Sequence, residues 1–565
     1  MKKQILIILL SAAILPWVYS CGDVLDINDT KSLSDDAIWS NETAADMYVT
    51  ASYLTFKDIS QVANSQKQYF DSYTDIMKST SWDQYNHAYN KALLQSSVFS
   101  SGNAGPLACW TDVYTQRIKR ANILLNEIAT SGVDNFGAEW SDIRRAEVRL
   151  CRAFSYYRLI RVYGGVVLRT ENSGENGGVD DGANPKDIHK KRLSEKESWD
   201  YVIGELQWAA QNLPDSWPQE WAGRATKKTA YGLLSRMALY TQQWQMAIDA
   251  AEQVKVLGGD LASDYAKLFQ VDGAQDNSTE ILLALYFQNG TVTHDYDRNM
   301  RPFGDVNIYK TQVRAEHVPT AELADLYEFS DGTPFDWNTY SSTHDDPYAE
   351  REPRFHATIL YNGSMWEGRK IQTFVGGTDG YVDYSQSNST GGHTCTGYYM
   401  KKYLQEGNLS FPEKGSYQTD VVLRYAEVLL NKAEAYAQLD YGANKTQALT
   451  ALNEVRSRVG LPLRTEDDAP NLESFMQLLR KERCVELAGE GFRYWDLKRW
   501  KLAVDAINGK NAHGVKITAS DGVYTYNTVE VDGGSPRIFQ ERYYYLSLPT
   551  AETNNNKECK NNPQW

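Results

Sequence analysis

Apolar residues recur at helical spacing in three places along this chain, each time as two amphipathic stretches separated by a short break. Ala230, Leu233, Leu234, Met237 and Ala238 share one helix face, and after Thr241-Gln242-Gln243 the residues Trp244, Ala247, Ile248 and Ala251 share another. Positions three and four apart stack on the same side of a 3.6-residue turn, so this spacing predicts a helical hairpin. The pattern returns from Tyr425 through Val428, Leu429, Ala433 and Tyr436, and after Gly442 from Ala448 through Leu452, Val455 and Val459. Alanines in both stretches allow two helices to approach closely. A third pair is predicted from Ile118–Leu125 to the long stretch Arg144–Tyr163.

Such hairpins resemble tetratricopeptide units, which bury their apolar faces only by stacking on neighbours. Between them the text changes. Residues 164–191 are rich in Gly, Asn and Asp, and residues 376–397 combine Gly, Ser, Thr and Tyr with little periodicity, as long surface loops do. From Thr279 to Met400 turn residues are dense, and short β-prone runs appear at Ile281–Phe287 and Ala357–Tyr361. The predicted fold is therefore mostly α, with tetratricopeptide-like helical hairpins forming a scaffold and an irregular, loop-rich insertion containing short strands. The expected divisions are a leader at 1–20, a helical scaffold at 21–278, the insertion at 279–420 and a C-terminal helical block at 421–565, with 21–565 forming one structural unit.

The leader follows from Met1-Lys2-Lys3 and the apolar run Ile5–Leu15, too short to span a bilayer but the length of a secretory signal core. Ser20 directly precedes Cys21, the position at which lipoprotein processing would leave an acylated cysteine. Val18 and Tyr19 depart from the usual small-residue lipobox, which leaves a periplasmic form without the lipid as the alternative. A net charge of −15 with interspersed basic residues argues against a nucleic-acid partner and against polyanionic glycans as default ligands. Five further cysteines, Cys109, Cys151, Cys395, Cys484 and Cys559, lie far apart without paired spacing and read as buried or free thiols.

A series of motifs in fixed order then resembles the SusD/RagB family across nearly the whole chain after Cys21. It begins with Cys21-Gly22-Asp23-Val24-Leu25-Asp26, Arg120–Leu124 and Arg152-Ala153-Phe154-Ser155-Tyr156-Tyr157 leading to Tyr163-Gly164. It continues through Pro319–Leu323, Asp331–Phe335 and Arg351-Glu352-Pro353-Arg354-Phe355. The most specific block is Leu423–Leu430, Leu452–Arg456, Arg480–Arg483 and Glu490-Gly491-Phe492-Arg493-Tyr494-Trp495-Asp496-Leu497-Lys498-Arg499-Trp500, followed by Tyr545–Pro549 and the tail Asn561–Trp565. The resemblance implies a non-catalytic lipoprotein of the Gram-negative outer membrane, lipid-anchored through Cys21 and facing the cell exterior. It would capture oligosaccharide or polysaccharide and deliver it to a SusC-like TonB-dependent transporter. Relatives of the RagB type make peptide uptake an alternative, and a secreted glycan-degrading enzyme is the rival from another class.

Catalytic chemistry finds little support. Glu482 and Glu486 share a helix face, yet Arg480, Arg483 and Arg493 in the same segment offer ion-pair partners, so a structural role is expected. At least one ring of Trp495 and Trp500 is expected in the core. No metal-ligand spacing appears beyond the isolated His393-Thr394-Cys395, no nucleotide loop or nucleophile elbow is present, and no cofactor is implied. What remains is an aromatic content of 12%, including 37 tyrosines. Sugars stack their CH-rich faces on flat rings while neighbouring polar groups bind the hydroxyls. Two segments interleave aromatic and polar residues, which nominates Trp82, Asp83 and Tyr85 in the first and Tyr296 and Arg298 in the second as glycan contacts. Trp337 and Trp366 are weaker candidates.

Overall fold

The computed structural model describes residues 35–65, 69–80, 99–171, 190–273, 279–337, 340, 346–383 and 392–565. Helix α1 (Glu42–Thr50) starts at Asn41, whose side chain accepts from the Ala44 amide at 3.1 Å. A π-helical run, Val113–Ile118, leads directly into α2 (Lys119–Glu127), followed by α3 (Ala138–Tyr163). Helices α4 (Glu195–Asn212) and α5 (Lys227–Tyr240) each begin with a capping box, Ser194 with Glu197 and Thr226 with Thr229, and α6 (Trp244–Val256) follows. These reciprocal bonds satisfy amide groups that the first turn leaves unpaired. The C-terminal part contributes α7 (Tyr425–Arg458), α8 (Leu472–Glu486) and α9 (Arg493–Arg499).

Each long helix packs on the next, from α3 through α8. The hairpin of α5 and α6 turns at Gln242, which takes a left-handed φ of 55°. Close packing reaches its limit at Gly232 of α5, where an added Cβ would stand 2.8 Å from Leu423. The predicted third pair forms as α2 and α3. The pair predicted around Gly442 is also present, but α7 breaks at Asp440 (φ −168°, ψ 97°), two residues earlier than the glycine. Asp440 accepts from the Ala443 amide at 3.1 Å and so caps the second half.

The insertion contributes mainly short strands and single turns. Strand β1 (Met77–Ser79) pairs antiparallel with β3 (His317–Pro319), and β2 (Ile281–Leu285) pairs antiparallel with β4 (Asp420–Arg424). That second ladder sets the two ends of the insertion side by side and passes straight into α7. The run Ala357–Tyr361 is strand only at Ile359–Leu360, because Pro353 starts a helical turn that lasts to Thr358. The insertion has its own core, in which Tyr327, Tyr348, Phe355, Trp366 and Tyr398 are buried.

A buried ionic network joins this core to the helices. Arg354 bonds Glu352, Glu482 and Glu486 at 2.6–2.9 Å, and Arg424 bonds Glu280, Glu486 and Glu490 at 2.6–2.9 Å. Arg456 holds Glu328 and Glu482, while Arg458 holds Glu280 and Glu486. Although burial works to raise it, Arg458, Arg424 and Arg354 hold the Glu486 carboxyl well below the usual carboxylate range. Glu482 and Glu486 are thus structural, as their sequence setting indicates, but with other partners. Arg480 pairs with Glu473, Arg483 with Asp496 and Arg493 with Asp75. Arg480 and Arg483 stand two and one positions from Glu482 and leave the helix in other directions, while Arg483, three positions before Glu486, is taken by Asp496 and Asn431.

Candidate functional site

The C-terminal block carries an exposed hairpin of β5 (His513–Ser520) and β6 (Val523–Glu530). Both strands are rich in Val, Ile, Thr and Tyr, and the turn between them is Asp521-Gly522, with φ of 52° and 80°. Positive φ at both turn residues matches the right-handed twist of the strands. Val515 and Ile517 are fully buried and pin β5 to the insertion core. In the ladder Tyr526 lies opposite Ile517 and Tyr524 opposite Ala519. Opposed residues share a face, so the two tyrosine rings stand on one side, about 7 Å apart along the strand.

Three further rings extend this row. Trp337 lies 5.8 Å from Tyr526 at an interplanar angle of 30°, and Tyr340 lies 5.8 Å from Trp337. At the other end Phe374 lies 5.6 Å from Tyr524, held beside β5 by the Val375 amide donating to the Ile517 carbonyl at 2.8 Å. Tyr340, Trp337, Tyr526, Tyr524 and Phe374 thus form a strip of partly exposed rings, with Tyr524 42% exposed. Polar groups flank it. The Trp337 indole donates to Asp325 at 3.2 Å, and His513 meets Glu322 at 2.6 Å. Burial pushes the Asp325 carboxyl up to about 7 against the opposing pull of Arg351.

Of the residues nominated from sequence, only Trp337 joins the strip. Trp82, Asp83 and Tyr85, like Cys21, lie outside the described residues. Tyr296 must be corrected: it is completely buried, donates to the Lys402 carbonyl at 2.9 Å and offers no ring face to a ligand. A short helix, Tyr296–Met300, turns Tyr296, Asp297 and Met300 inward. Arg298 is half-buried and spans Thr311 and the Pro412 carbonyl at 3.1 and 2.9 Å, tying two loops together. Trp366 is also a core residue, with its indole donating to Asp305 at 2.9 Å. Trp495 is the ring of its pair that enters the core.

Sequence reasoning missed Tyr524 and Tyr526. Their signal is the Asp-Gly turn between two β-branched runs, with tyrosines two apart on the second. His393 stacks on Phe303 at 3.9 Å, and Cys395 is buried with its thiol pushed up to about 11. All five described cysteines are free thiols. Among the described residues no group of three or more His, Cys, Asp or Glu side chains is placed to hold a metal.

Comparison with known proteins agrees with this architecture. Residues 279–565 match the SusD family model, and residues 23–239 match a model described as starch-binding associating with outer membrane. A SusD-like protein, P25, of Formosa agariphila is 24% identical over 524 residues, covering 86% of this chain and 88% of the relative. The crystal structure of a SusD-like protein from Bacteroides fragilis superposes with a TM-score of 0.78 at 26% identity, covering 94% of this chain and 99% of that one. A second structure from the same organism, titled a SusD-like carbohydrate binding protein, gives a TM-score of 0.75 at 23% identity, covering 93% of this chain and 100% of that one. With the family model spanning more than half of its length and the same helical architecture in solved relatives, the chain belongs to the SusD family.

Proposed function

We propose that this chain is a non-catalytic glycan-binding lipoprotein at the exterior of the outer membrane, which captures oligo- or polysaccharide and passes it to a SusC-like TonB-dependent transporter. The observation that carries the glycan reading is the strip from Tyr340 to Phe374. It offers several ring faces in a row beside carboxyl groups, the arrangement that an extended, hydroxyl-rich chain needs. Membership of the family supports the transporter partner and the outer-membrane location. Cys21 carries the lipid in this reading, and Trp82, Asp83 and Tyr85 supply a second group of sugar contacts. Catalysis by Glu482 and Glu486 is disfavoured because both are buried and tied up in ion pairs, and the arginines that hold Glu486 ionised remove it as a general acid.

Native gels cast with a panel of soluble polysaccharides test the proposal. The wild-type protein is expected to be retarded by at least one glycan, and a Trp337→Ala/Tyr524→Ala variant to run as it does without glycan. Retardation unaltered in that variant would remove the strip from the binding site. Release of new reducing ends, lost on Asp325→Asn, would refute the non-catalytic reading.

A further inference from the structure

A cleft of about 330 Å³ opens between α1 and α2, with α3 as its floor. Its size falls in the range of small-ligand pockets, about 300–1,000 Å³. Tyr48 and Ser52 come from α1 and the turn after it, Gln116 and Arg120 from the opposite wall, and Arg152 and Ser155 from the floor. Gln116 belongs to the π-helical run that precedes α2. Such runs are rare and recur at functional sites, because widening a helix by one residue per turn redirects side chains that a regular helix would aim elsewhere.

The charge at this cleft runs against that of the whole chain. Arg117 and Arg158 share Asp58, at 2.7 and 2.5 Å. Arg149 and Arg152 share Glu205, at 2.6 and 2.7 Å, and Arg152 also meets Glu171. Arg120 is exposed and has no ion-pair partner among the described residues. Three arginines, Arg117, Arg120 and Arg152, thus line the cleft, and no carboxylate is among its described lining residues, on a protein of net −15. Arg152 lines the floor with its guanidinium already bonded to Asn122, Glu171 and Glu205, so it lends the cleft positive field rather than a free donor. Beside these cations the cleft offers the partly exposed ring of Tyr48 and the apolar surface of Ala121 and Leu124.

We propose that this cleft binds a monosaccharide-sized ligand bearing a carboxylate, of the uronic acid class. The carboxylate accepts from the exposed guanidinium of Arg120, in the positive field of Arg117 and Arg152, the sugar ring lies against Tyr48, and Gln116 and Ser52 meet its hydroxyls. Arginine suits this role because its planar donors match a carboxylate's two oxygens. The site lies on the helical layer and stands independently of the aromatic strip.

Isothermal titration of the full mature chain with sodium glucuronate, glucose and sodium acetate tests the assignment. Glucuronate is expected to bind, with glucose and acetate each at least about tenfold weaker, since the first lacks the charge and the second the ring. Arg120→Ala, at an exposed position, should weaken glucuronate about tenfold with an unchanged melting curve, and Tyr48→Ala, whose ring also packs edge-on against Trp39, should weaken it by a similar factor. Tyr524→Ala should leave glucuronate affinity as it is. Absence of glucuronate binding, equal affinity for glucose or acetate, or indifference to Arg120→Ala would each overturn the proposal. Loss of glucuronate binding in Tyr524→Ala would move the ligand to the strip and overturn it equally.

Discussion

Asp71 gives the sharpest test of how the N-terminal layer is joined to the C-terminal block. Its side chain is fully buried, and Oδ2 accepts from the amides of Gly489 and Gly491 at 2.9 and 3.3 Å, while Oδ1 has no partner among the described residues. Both glycines have positive φ, 76° and 79°, and a Cβ on Gly489 would overlap the Met400 methyl, so the turn that Asp71 holds is open only to glycine. Burial pushes the Asp71 carboxyl up to about 7, although the two amides and Lys402 pull it down. Below its ordinary value of 3.8 the folded and unfolded chains are both protonated. Between 3.8 and about 7 the unfolded chain has lost a proton that the folded chain keeps, so the Asp71 contribution to stability falls as pH rises. At about 1.4 kcal/mol per pH unit, the loss across that window is roughly 4 kcal/mol, and it levels off above pH 7.

Asp71→Asn keeps an oxygen for the glycine amides and removes the titration. Its amide nitrogen takes the place of the unpartnered Oδ1, a cost of about 1–3 kcal/mol that does not vary with pH. Stability relative to wild type should therefore climb by roughly 2–4 kcal/mol from pH 4 to pH 8, whatever its starting value. Asp420 and Asp325, both also pushed up to about 7, titrate in both proteins and cancel in the difference. Urea unfolding at half-unit pH steps measures the effect. Parallel stability curves for the two proteins would refute the account.

Two more outcomes follow from burial and charge. Arg424→Met leaves Glu280, Glu486 and Glu490 without their shared partner and should cost about 3–5 kcal/mol in urea unfolding at pH 7; a loss under about 1 kcal/mol would show that the remaining arginines suffice. Tyr296→Ala should cost about 3–5 kcal/mol because a fully buried ring is removed, whereas Tyr524→Ala should stay within about 0.5 kcal/mol. Equal shifts in melting temperature for these two variants would contradict their assignment to core and surface.

The helical layer was legible because amphipathic spacing is a local property: Leu233, Leu234 and Met237 declare a buried face whatever lies against it. Partner choice was not. Glu486 finds Arg354, Arg424 and Arg458, residues 28 to 132 positions away, and no spacing rule reaches that far. The error at Tyr296 has the same origin. Its polar neighbours suggested a surface, but Asp297 is buried and satisfied by Asn408, Gln418 and Arg301 at 3.1, 2.8 and 3.2 Å, so a polar core reads in one dimension like a binding loop. The Tyr524–Tyr526 strand was readable from its Asp-Gly turn, but its alignment with Trp337 depends on contacts across the insertion.

The motifs that place this chain in its family are therefore mostly instructions for the frame. Arg354 comes from the Arg-Glu-Pro-Arg-Phe motif, Arg424 from the entry to α7, Arg456 from its end and Glu490 from the turn that Asp71 holds. Each is a buried charge whose partner sits in another motif, so a change at one strands a charge at the next and costs several kcal/mol. The ring of Tyr524 carries no such obligation, because it is 42% exposed and borders solvent. Substitution there costs the fold little while changing what the surface can stack against. One frame can accordingly carry different exposed faces, so the proposed sugar contacts of this chain are to be tested at its hairpin, its insertion rim and the cleft beside α1 rather than at the motifs that identify it.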